Sequence, residues 1–529
     1  MRSIPTALIL LVCALSSASK EDERQTCRNI PGSAGYPTSA AWSALNKTIG
    51  GRLVKVVPSA KYCASLPGGA CTDAQWTSAV FRGTIPGAMN TVNWEQGYDL
   101  SPPSLCLRNA TTCGQGDVPI YSVEAQSVVD IQTAVKFASS NKLRVVVKAS
   151  GHDWLGRSTA PNSLLIRTTG LQNSSFTEAF FIGTENMGSA ATVGSGLPMG
   201  VLYQRAKANG KIIIGGTAAT VCAAGGYLQG AGHSAVAPIF GLAADNVLEF
   251  NIVIASGELL KVNSISYPDL FYALRGGGAG SWGVIVSATF RTFPTFDVTY
   301  GVIDLTASSN AAAGALAAIH AQHMFDLEAV HGSQYSYYTS ANINDALFQS
   351  DDSVGNDMAM GSRLIPASAY RNAPATFGKM YEELLDAGTF DRRLVGARTH
   401  VYPGAHWVLG QVAANINVSS AVNPAWRTAK SLLTLGNFWT DQTPLADVNV
   451  LRRMFQTTQL PIVEQVTGPN GGTYSNEADV FEPNFQTTFF GPNYAKLSGI
   501  KSKYDPEDLF IVPLGVGSER WDQWGLCTV

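Results

Sequence analysis

The sequence predicts an α+β fold in more than one domain, and three observations carry that prediction. The chain has 529 residues, too many for one small core and about right for two or three domains. Short β-branched runs and stretches of helical period occur in mixed order, without a repeat. The 52 glycines are scattered, which excludes collagen and points to many tight turns between the elements.

The elements follow in order. Residues 19–115 are loop-rich, with prolines, glycines and five cysteines. Regular pattern begins with Tyr121-Ser122-Val123, a short strand. Ser127 to Ser139 reads as a helix with Val128, Ile131, Val135 and Phe137 on or near one face. Leu143 to Lys148 and Lys211 to Ile214 read as buried strands. Val247 to Ile254 and Leu259 to Val262 flank Ser256-Gly257, a hairpin signal. Tyr267 to Leu274 reads as a helix and Val284 to Phe290 as a strand.

The character changes near Thr292-Phe293-Pro294, where glycine thins out. Val298 to Leu305 alternates as a strand does. Asn310 to His331 predicts a long Ala-rich helix with Asn310 as its N-cap. Strands follow around Gln334 to Ser340, at Met358 to Ile365 and at Arg393 to Tyr402, with a helix at Pro374 to Asp386. This order predicts an antiparallel sheet with helices on one face. The chain then turns Gly/Asn-rich from about Gly468 and ends in a regular stretch, Tyr494 to Phe510. The expected divisions are 1–18, 19–115, 116–297, 298–467 and 468–529.

Composition narrows the function. Apolar residues make up 45% and charged residues 14%, the reverse of a disordered chain. Lys+Arg at 36 against Asp+Glu at 39 leaves a net charge of −3, so no basic field invites nucleic acid. The N-terminus has Arg2, an apolar Ile4–Leu15 stretch and small residues to Ser19. That is the order of a secretory signal peptide cleaved near Ala18. The apolar stretch is too short to span a bilayer, and no later one is long enough. A secreted protein off the membrane is expected, with N-glycans possible at Asn46, Asn109, Asn173 and Asn417. The expected oligomeric state is a monomer.

Seven cysteines remain after the signal segment, and in an oxidising compartment most should pair. Cys63 with Cys71 and Cys106 with Cys113 are close enough to close small loops. Cys27 with Cys527 would tie the two ends together, leaving Cys222 over. No CxxC or HExxH segment appears, so no zinc site is indicated. His320, His323 and His331 read as a solvated helix face, and Tyr335, Tyr337 and Tyr338 as sheet packing or a stacking surface.

Three stretches look like nucleotide motifs. Gly151 to Ser158 nearly matches a P-loop, but Arg157 stands where lysine is needed and Pro161 interrupts the helix. Gly278 to Gly283 matches GxGxxG, yet it follows a helix and precedes a strand, the reverse of a Rossmann turn. What remains is a strand-to-loop element, Val145 to Asp153, whose small residues at 149–151 can form a nest around a pyrophosphate. With it goes Gly215 to Ser234, nearly free of bulk for a dozen positions and able to lie flat on a planar ligand.

On these stretches the chain resembles the secreted fungal flavoproteins of the vanillyl-alcohol-oxidase type, near the berberine-bridge-enzyme-like oxidases. The matching residues are Ser150-Gly151-His152-Asp153 with Gly156-Arg157-Ser158, the run 220–234, and Gly241 to Val247. Tyr267 to Phe271, Arg275 to Gly283 and the tail Asn493 to Phe510 also match. The resemblance covers roughly 40–295 and 468–520. It implies a two-part FAD-binding domain of the p-cresol-methylhydroxylase type, closed by the C-terminal segment. The middle region would be an α+β substrate domain whose antiparallel sheet roofs the flavin.

The resemblance also implies roles. His152 would carry FAD covalently through the flavin 8α-methyl group. The cofactor set would comprise Ser150, Gly151, Asp153, Gly156, Arg157, Ser158, Thr220, Val221, Cys222, Gly225, Gly226, Tyr227, Gly230, Gly232, His233, Val284 and Asn476. Relatives with a second, cysteinyl link carry that cysteine where Ala218 stands here, so a single link is expected and a sugar substrate is disfavoured. Val221 matches the residue on the oxygen-access side. The implied reaction is hydride transfer from an alcohol or secondary metabolite to flavin, with O2 as the final acceptor and H2O2 as product. Tyr474, Glu477, His400 and Tyr338 are the candidate bases. Two alternatives stay open: a dehydrogenase or oxidative cyclase with poor O2 reactivity, and a flavin-retaining binding protein without turnover.

Overall fold

A computed structural model describes residues 25–108, 112–301, 303, 305–326, 333–336, 354–390, 398–407 and 410–529. The signal segment, the Asn109 sequon, His331 and Tyr338 lie outside the described residues.

The first sheet has four strands in the order Leu53–Lys55, Tyr121–Glu124, Leu164–Arg167, Val145–Lys148. The last three are parallel and the first is antiparallel. A parallel pair needs a crossover, and the helix Val128–Ser140 supplies it. Its start is fixed by a capping box: Ser127 Oγ accepts from Asp130 N–H, and Asp130 Oδ2 accepts from Ser127 N–H. Ile131, Ala134, Val135 and Ala138 form the buried face, a spacing of three and four residues. The strand expected from Leu143 begins at Val145.

The second sheet is antiparallel throughout, in the order Leu259–Asn263, Val247–Val253, Val284–Arg291, Ala190–Gly194, Ser174–Thr177. The Ser256-Gly257 hairpin forms, with Gly257 at φ +78°. Val253 and Val284 pack with Val145, Leu164 and Ile166, so the two sheets share one core. The helix before Val284 starts at Pro268, because Tyr267 takes a left-handed φ of 55° that no helix continues.

The third sheet is antiparallel, in the order Tyr335–Ser336, Arg398–Trp407, Ala429–Trp439, Asp357–Pro366. Helices Asn310–His323 and Pro374–Phe390 pack on it through Ala317, Ala321, Phe377, Met380 and Leu384 against Ile365, Leu433 and Leu435. A Cβ at Gly314 would lie 2.5 Å from the Gly378 carbonyl oxygen, so these helices touch backbone to backbone.

Several expectations need correction here. The first helix is capped by Ser309, whose Oγ accepts from Ala312 N–H; Asn310 instead donates to Asp386. It stops at His323, where a turn closed by Asp326 N–H on the His323 carbonyl ends it. The segment from Val298 to Leu305 is not a strand among its described residues. Val298, Tyr300, Ile303 and Leu305 are 74%, 87%, 84% and 71% exposed. The alternation is present, but no neighbouring strand pairs with it. Only Lys211–Ile212 of the 211–214 run pairs, with Phe293–Pro294. Of the strand read from Arg393 to Tyr402, residues 393–397 lie outside the described residues, and Arg398–Trp407 is a strand.

All three expected disulfides form: Cys27–Cys527, Cys63–Cys71 and Cys106–Cys113. The helix Tyr494–Tyr504 packs Leu497, Ile500 and Tyr504 on the second sheet's core, and Leu509 and Phe510 beyond it enter the core that the first two sheets share. Its buried Lys501 Nζ donates to the carbonyls of Ser281 and Phe510, each at 2.7 Å, and to Asp505 at 2.6 Å. Asp505 in turn accepts from the Leu509 and Phe510 amides. Among the described residues no helix is long and apolar enough to cross a membrane.

Removing one partner of a fully buried pair leaves the other charge without compensation. Lys501→Ala is therefore expected to lower unfolding free energy by about 3–5 kcal/mol. Chemical denaturation of the purified variant checks this, and a loss below 1 kcal/mol, the ceiling for an exposed pair, would refute it.

Candidate functional site

The strand Val145–Lys148 ends by delivering Ser150, Gly151 and His152 into an open loop. Gly151 takes φ +90°, which a side chain would resist. His152 is half-buried, and its Nε2 lies 2.6 Å from Thr220 Oγ1. Asp153 closes the loop: Oδ2 accepts from Ser158 N–H at 2.6 Å and Ser158 Oγ at 2.8 Å, and Oδ1 accepts from Leu155 N–H. No helix follows before Met199, so the P-loop reading is excluded. Gly156 sits against the Trp94 ring, where a Cβ would be 2.8 Å from a ring carbon.

Arg157 is buried and donates through Nε to Pro513 O at 3.1 Å and through Nη2 to Leu514 O. Its Nη1 is buried without a partner, and burial pushes the guanidinium down to about 10. Arg157 thus fastens the His152 loop to the C-terminal segment.

The glycine-rich segment lies beside this loop. Thr220 and Val221 are half-buried and Cys222 is buried. Residues Ala223–Tyr227 form one wide helical turn broken at Gly225 (φ −86°, ψ −135°). A Cβ at Gly225 would lie 3.1 Å from Ala149 Cβ, and one at Gly226 3.1 Å from Ala279 Cβ. Gly230 faces Asn476 with no room for a Cβ, and one at Gly232 (φ +74°) would lie 2.6 Å from Ala243 Cβ. The Tyr227 hydroxyl donates back to His233 O at 2.6 Å, so it braces its own loop. Gly278 to Gly283 lies between the helix Pro268–Leu274 and the strand Val284–Arg291, as the order of elements required. Its Ala279 lies against Gly226 of the glycine-rich segment.

Cys222 is the one free cysteine among the described residues. Burial pushes its thiol up to about 12, opposed by a hydrogen bond with Ser150. A thiol so protonated is a poor nucleophile.

The C-terminal segment completes the cluster. Tyr474 is buried, and its phenol oxygen accepts from Asn476 Nδ2 at 2.9 Å and from the Gly232 amide. Asn476 Nδ2 also donates to Gly226 O at 3.1 Å. Burial, and then the charge of Glu477, hold the Tyr474 phenol well above its ordinary pKa. His233 Nε2 lies 2.9 Å from Glu477 Oε1. The His233 ring stacks on Trp426 (6.5 Å between centroids, 20° between planes) and meets Tyr474 edge-on at 5.3 Å.

Tyr474, Asn476, Glu477 and His233 therefore converge on Gly226, Gly230 and Gly232. The backbone of His400 pairs with Gly436 in the third sheet. Val284 packs its side chain into the core between the two sheets, so only its backbone can face a ligand. Trp426 is a site residue that no sequence signal marks: it lies in a short turn at 424–427 without a motif.

The residues present fit a flat group with polar edges. The glycines admit a plane at backbone distance. Around them the hydroxyls of Ser195, Ser281 and Ser475 and the Gln229 Oε1 are buried without partners among the described residues, a state that folded proteins avoid unless a ligand or water completes it.

Comparison with known proteins agrees. A family model described as FAD binding domain matches residues 119–263, and one described as berberine and berberine like matches 473–517. The chain is 34% identical to an uncharacterized FAD-linked oxidoreductase of Arthroderma benhamiae, over 98% of this chain and 99% of that protein. It is 32% identical to FAD-linked oxidoreductase malF of Malbranchea aurantiaca, over 99% and 97%. It superposes on the VAO-type flavoprotein MtVAO615 of Myceliophthora thermophila with a TM-score of 0.78 and 27% identity, covering 95% of this chain and 100% of that one.

The burial of Cys222 sets a direct test. Iodoacetamide at mildly alkaline pH is expected to leave Cys222 unmodified in the folded protein and to alkylate it after unfolding. Peptide mass mapping reads both states. Rapid labelling of the folded protein would contradict a buried, protonated thiol.

Proposed function

The chain belongs to the FAD-linked oxidoreductases of the vanillyl-alcohol-oxidase and berberine-bridge-enzyme type, with their α+β fold, and from that we propose a secreted oxidase with one covalent link to FAD, at His152. The substrate would be an alcohol or a secondary metabolite, and the final acceptor O2. The observation that carries this reading is the position of His152. It lies in the loop after the strand Val145–Lys148, 2.6 Å from Thr220, beside a segment flattened by Gly225 and Gly226.

FAD, when bound, supplies a two-electron acceptor for hydride and passes the electrons to O2. The protein's own groups do the rest. Thr220 Oγ1 orients the His152 imidazole through Nε2. The neutral, buried Cys222 thiol supports a single link. Val221, half-buried beside Thr220, would line the oxygen side.

Among the candidate bases we favour Glu477. Its Oε1 is held by His233 Nε2 at 2.9 Å, so a substrate hydroxyl proton taken there has an imidazole partner. Tyr474 suits a donor better than a base. Both contacts to its oxygen come from N–H groups, which leaves its own O–H to point at a substrate oxygen. Residues 298–467 would form the substrate half, and 19–297 with 468–529 the cofactor half. Asn173 and Asn417 are exposed and suit glycans, whereas Asn46 Oδ1 is engaged by the Leu53 amide.

Acid precipitation of the secreted protein, followed by peptide mass mapping, tests the link. Flavin mass is expected on the peptide containing His152 and not on Cys222, and His152→Ala should release the colour into the supernatant. Flavin released from the native protein would sink the covalent reading. After anaerobic reduction, air should reoxidise the flavin rapidly with release of H2O2; slow reoxidation would favour the dehydrogenase or cyclase alternative. Glu477→Gln should lower kcat by about 10²–10⁴ with flavin content unchanged; retained kcat would exclude Glu477 as the base.

A further inference from the structure

The loop-rich N-terminal region contains a segment, residues 86–94, that touches both halves of the site. Asn90 stands between them. Its N–H donates to Gly151 O at 3.2 Å, next to His152, and its carbonyl accepts from Gly355 N–H at 2.9 Å, just before the strand Asp357–Pro366 of the third sheet. The contact continues on that side. Val92 N–H donates to Asn356 O at 2.9 Å, and Asn93 Oδ1 accepts from Met358 N–H at 2.9 Å. On the other side the Trp94 ring covers Gly156 in the His152 loop.

Two buried charged groups seat this segment. At its far end Glu95 accepts from Ser59, Met89 and Arg82. At its near end Lys148 Nζ donates to Pro86 O at 2.5 Å and to Ala88 O at 2.9 Å. Lys148 is 2% exposed and makes no ion pair among the described residues. Burying an ammonium this way opposes folding. Its contacts to the Pro86 and Ala88 carbonyls and to Met89 Sδ at 3.9 Å, with the nearby carboxylate of Glu95, offset that cost.

We propose that residues 86–94 are a positioning strap coupling the His152 loop to the substrate sheet, and that Lys148 is the positioning residue that seats it. The consequence for catalysis rests on the oxidase reading. Hydride transfer requires the donor carbon within near-contact distance of its acceptor, and small misplacements are costly. The strap makes the two surfaces that must meet share one backbone segment.

Hydrogen exchange with mass spectrometry on the whole secreted protein tests the strap. In the wild type the amides of Asn90, Val92 and Gly355 are expected to exchange as one protected unit. Exchange of Asn90 and Val92 at the rate of an open loop would overturn the proposal without any variant. In Lys148→Met the carbonyls of Pro86 and Ala88 lose their donor, and exchange across 86–94 should accelerate roughly tenfold or more. The melting temperature should stay level or rise, because a buried charge has been removed. Lys148→Arg keeps charge and donors and should restore protection. Unchanged protection in Lys148→Met would refute the role of Lys148, as would a Lys148→Arg variant that exchanges like Lys148→Met. Visible circular dichroism of the bound flavin should change in Lys148→Met and return in Lys148→Arg. The exchange readout needs no flavin, so a colourless protein would sink the oxidase reading while still testing the strap.

Discussion

A steric constraint governs the site: the segment 222–232 carries no bulk where four other parts of the chain touch it. Ala149 meets Gly225, Ala279 meets Gly226, Asn476 meets Gly230, and Ala243 meets Gly232. These residues come from a strand end, a helix-to-strand loop, the C-terminal segment and a short turn. Any side chain at the four glycines would push one of them away. The flat surface that suits a planar cofactor is thus the same feature that lets distant segments converge.

Convergence by small residues has little adhesive strength of its own, since glycine and alanine bury little apolar area. Buried charged hydrogen bonds do the fastening at the periphery. Lys501 joins Ser281 to Phe510 and Asp505; Arg157 joins the His152 loop to Pro513 and Leu514; Arg427 grips Asp245 with two bonds of 2.7 Å. Each uses one cation to satisfy backbone carbonyls or a carboxylate from another segment. Such contacts are specific in geometry because leaving any partner unmade in a dry interior is costly.

The electrostatics within the site follow the same division. Two buried groups are held neutral: the Cys222 thiol and the Tyr474 phenol are both pushed up by burial. The half-buried groups His152, His233 and Glu477 remain at the edge of the glycine surface. The more accessible polar side chains therefore lie at the rim, and the flat glycine surface lies inside.

The sequence by itself determined the local features. The cofactor loops stood out because glycine and small residues at 149–151 and 215–234 are a compositional anomaly, and their cause, close backbone approach, is local. The crossover helix was legible from the spacing of Val128, Ile131, Val135 and Phe137, and two disulfides from short loops. Tertiary structure alone decided what depends on partners. Val298 to Leu305 has strand alternation, yet a strand exists only where another strand offers its ladder. Glu477 and His233 are 244 residues apart, Trp426 has no motif, and Asn90 bridges two surfaces through backbone atoms that carry no side-chain signal. Those assignments arise from long-range packing, which a pattern in one stretch of chain does not encode.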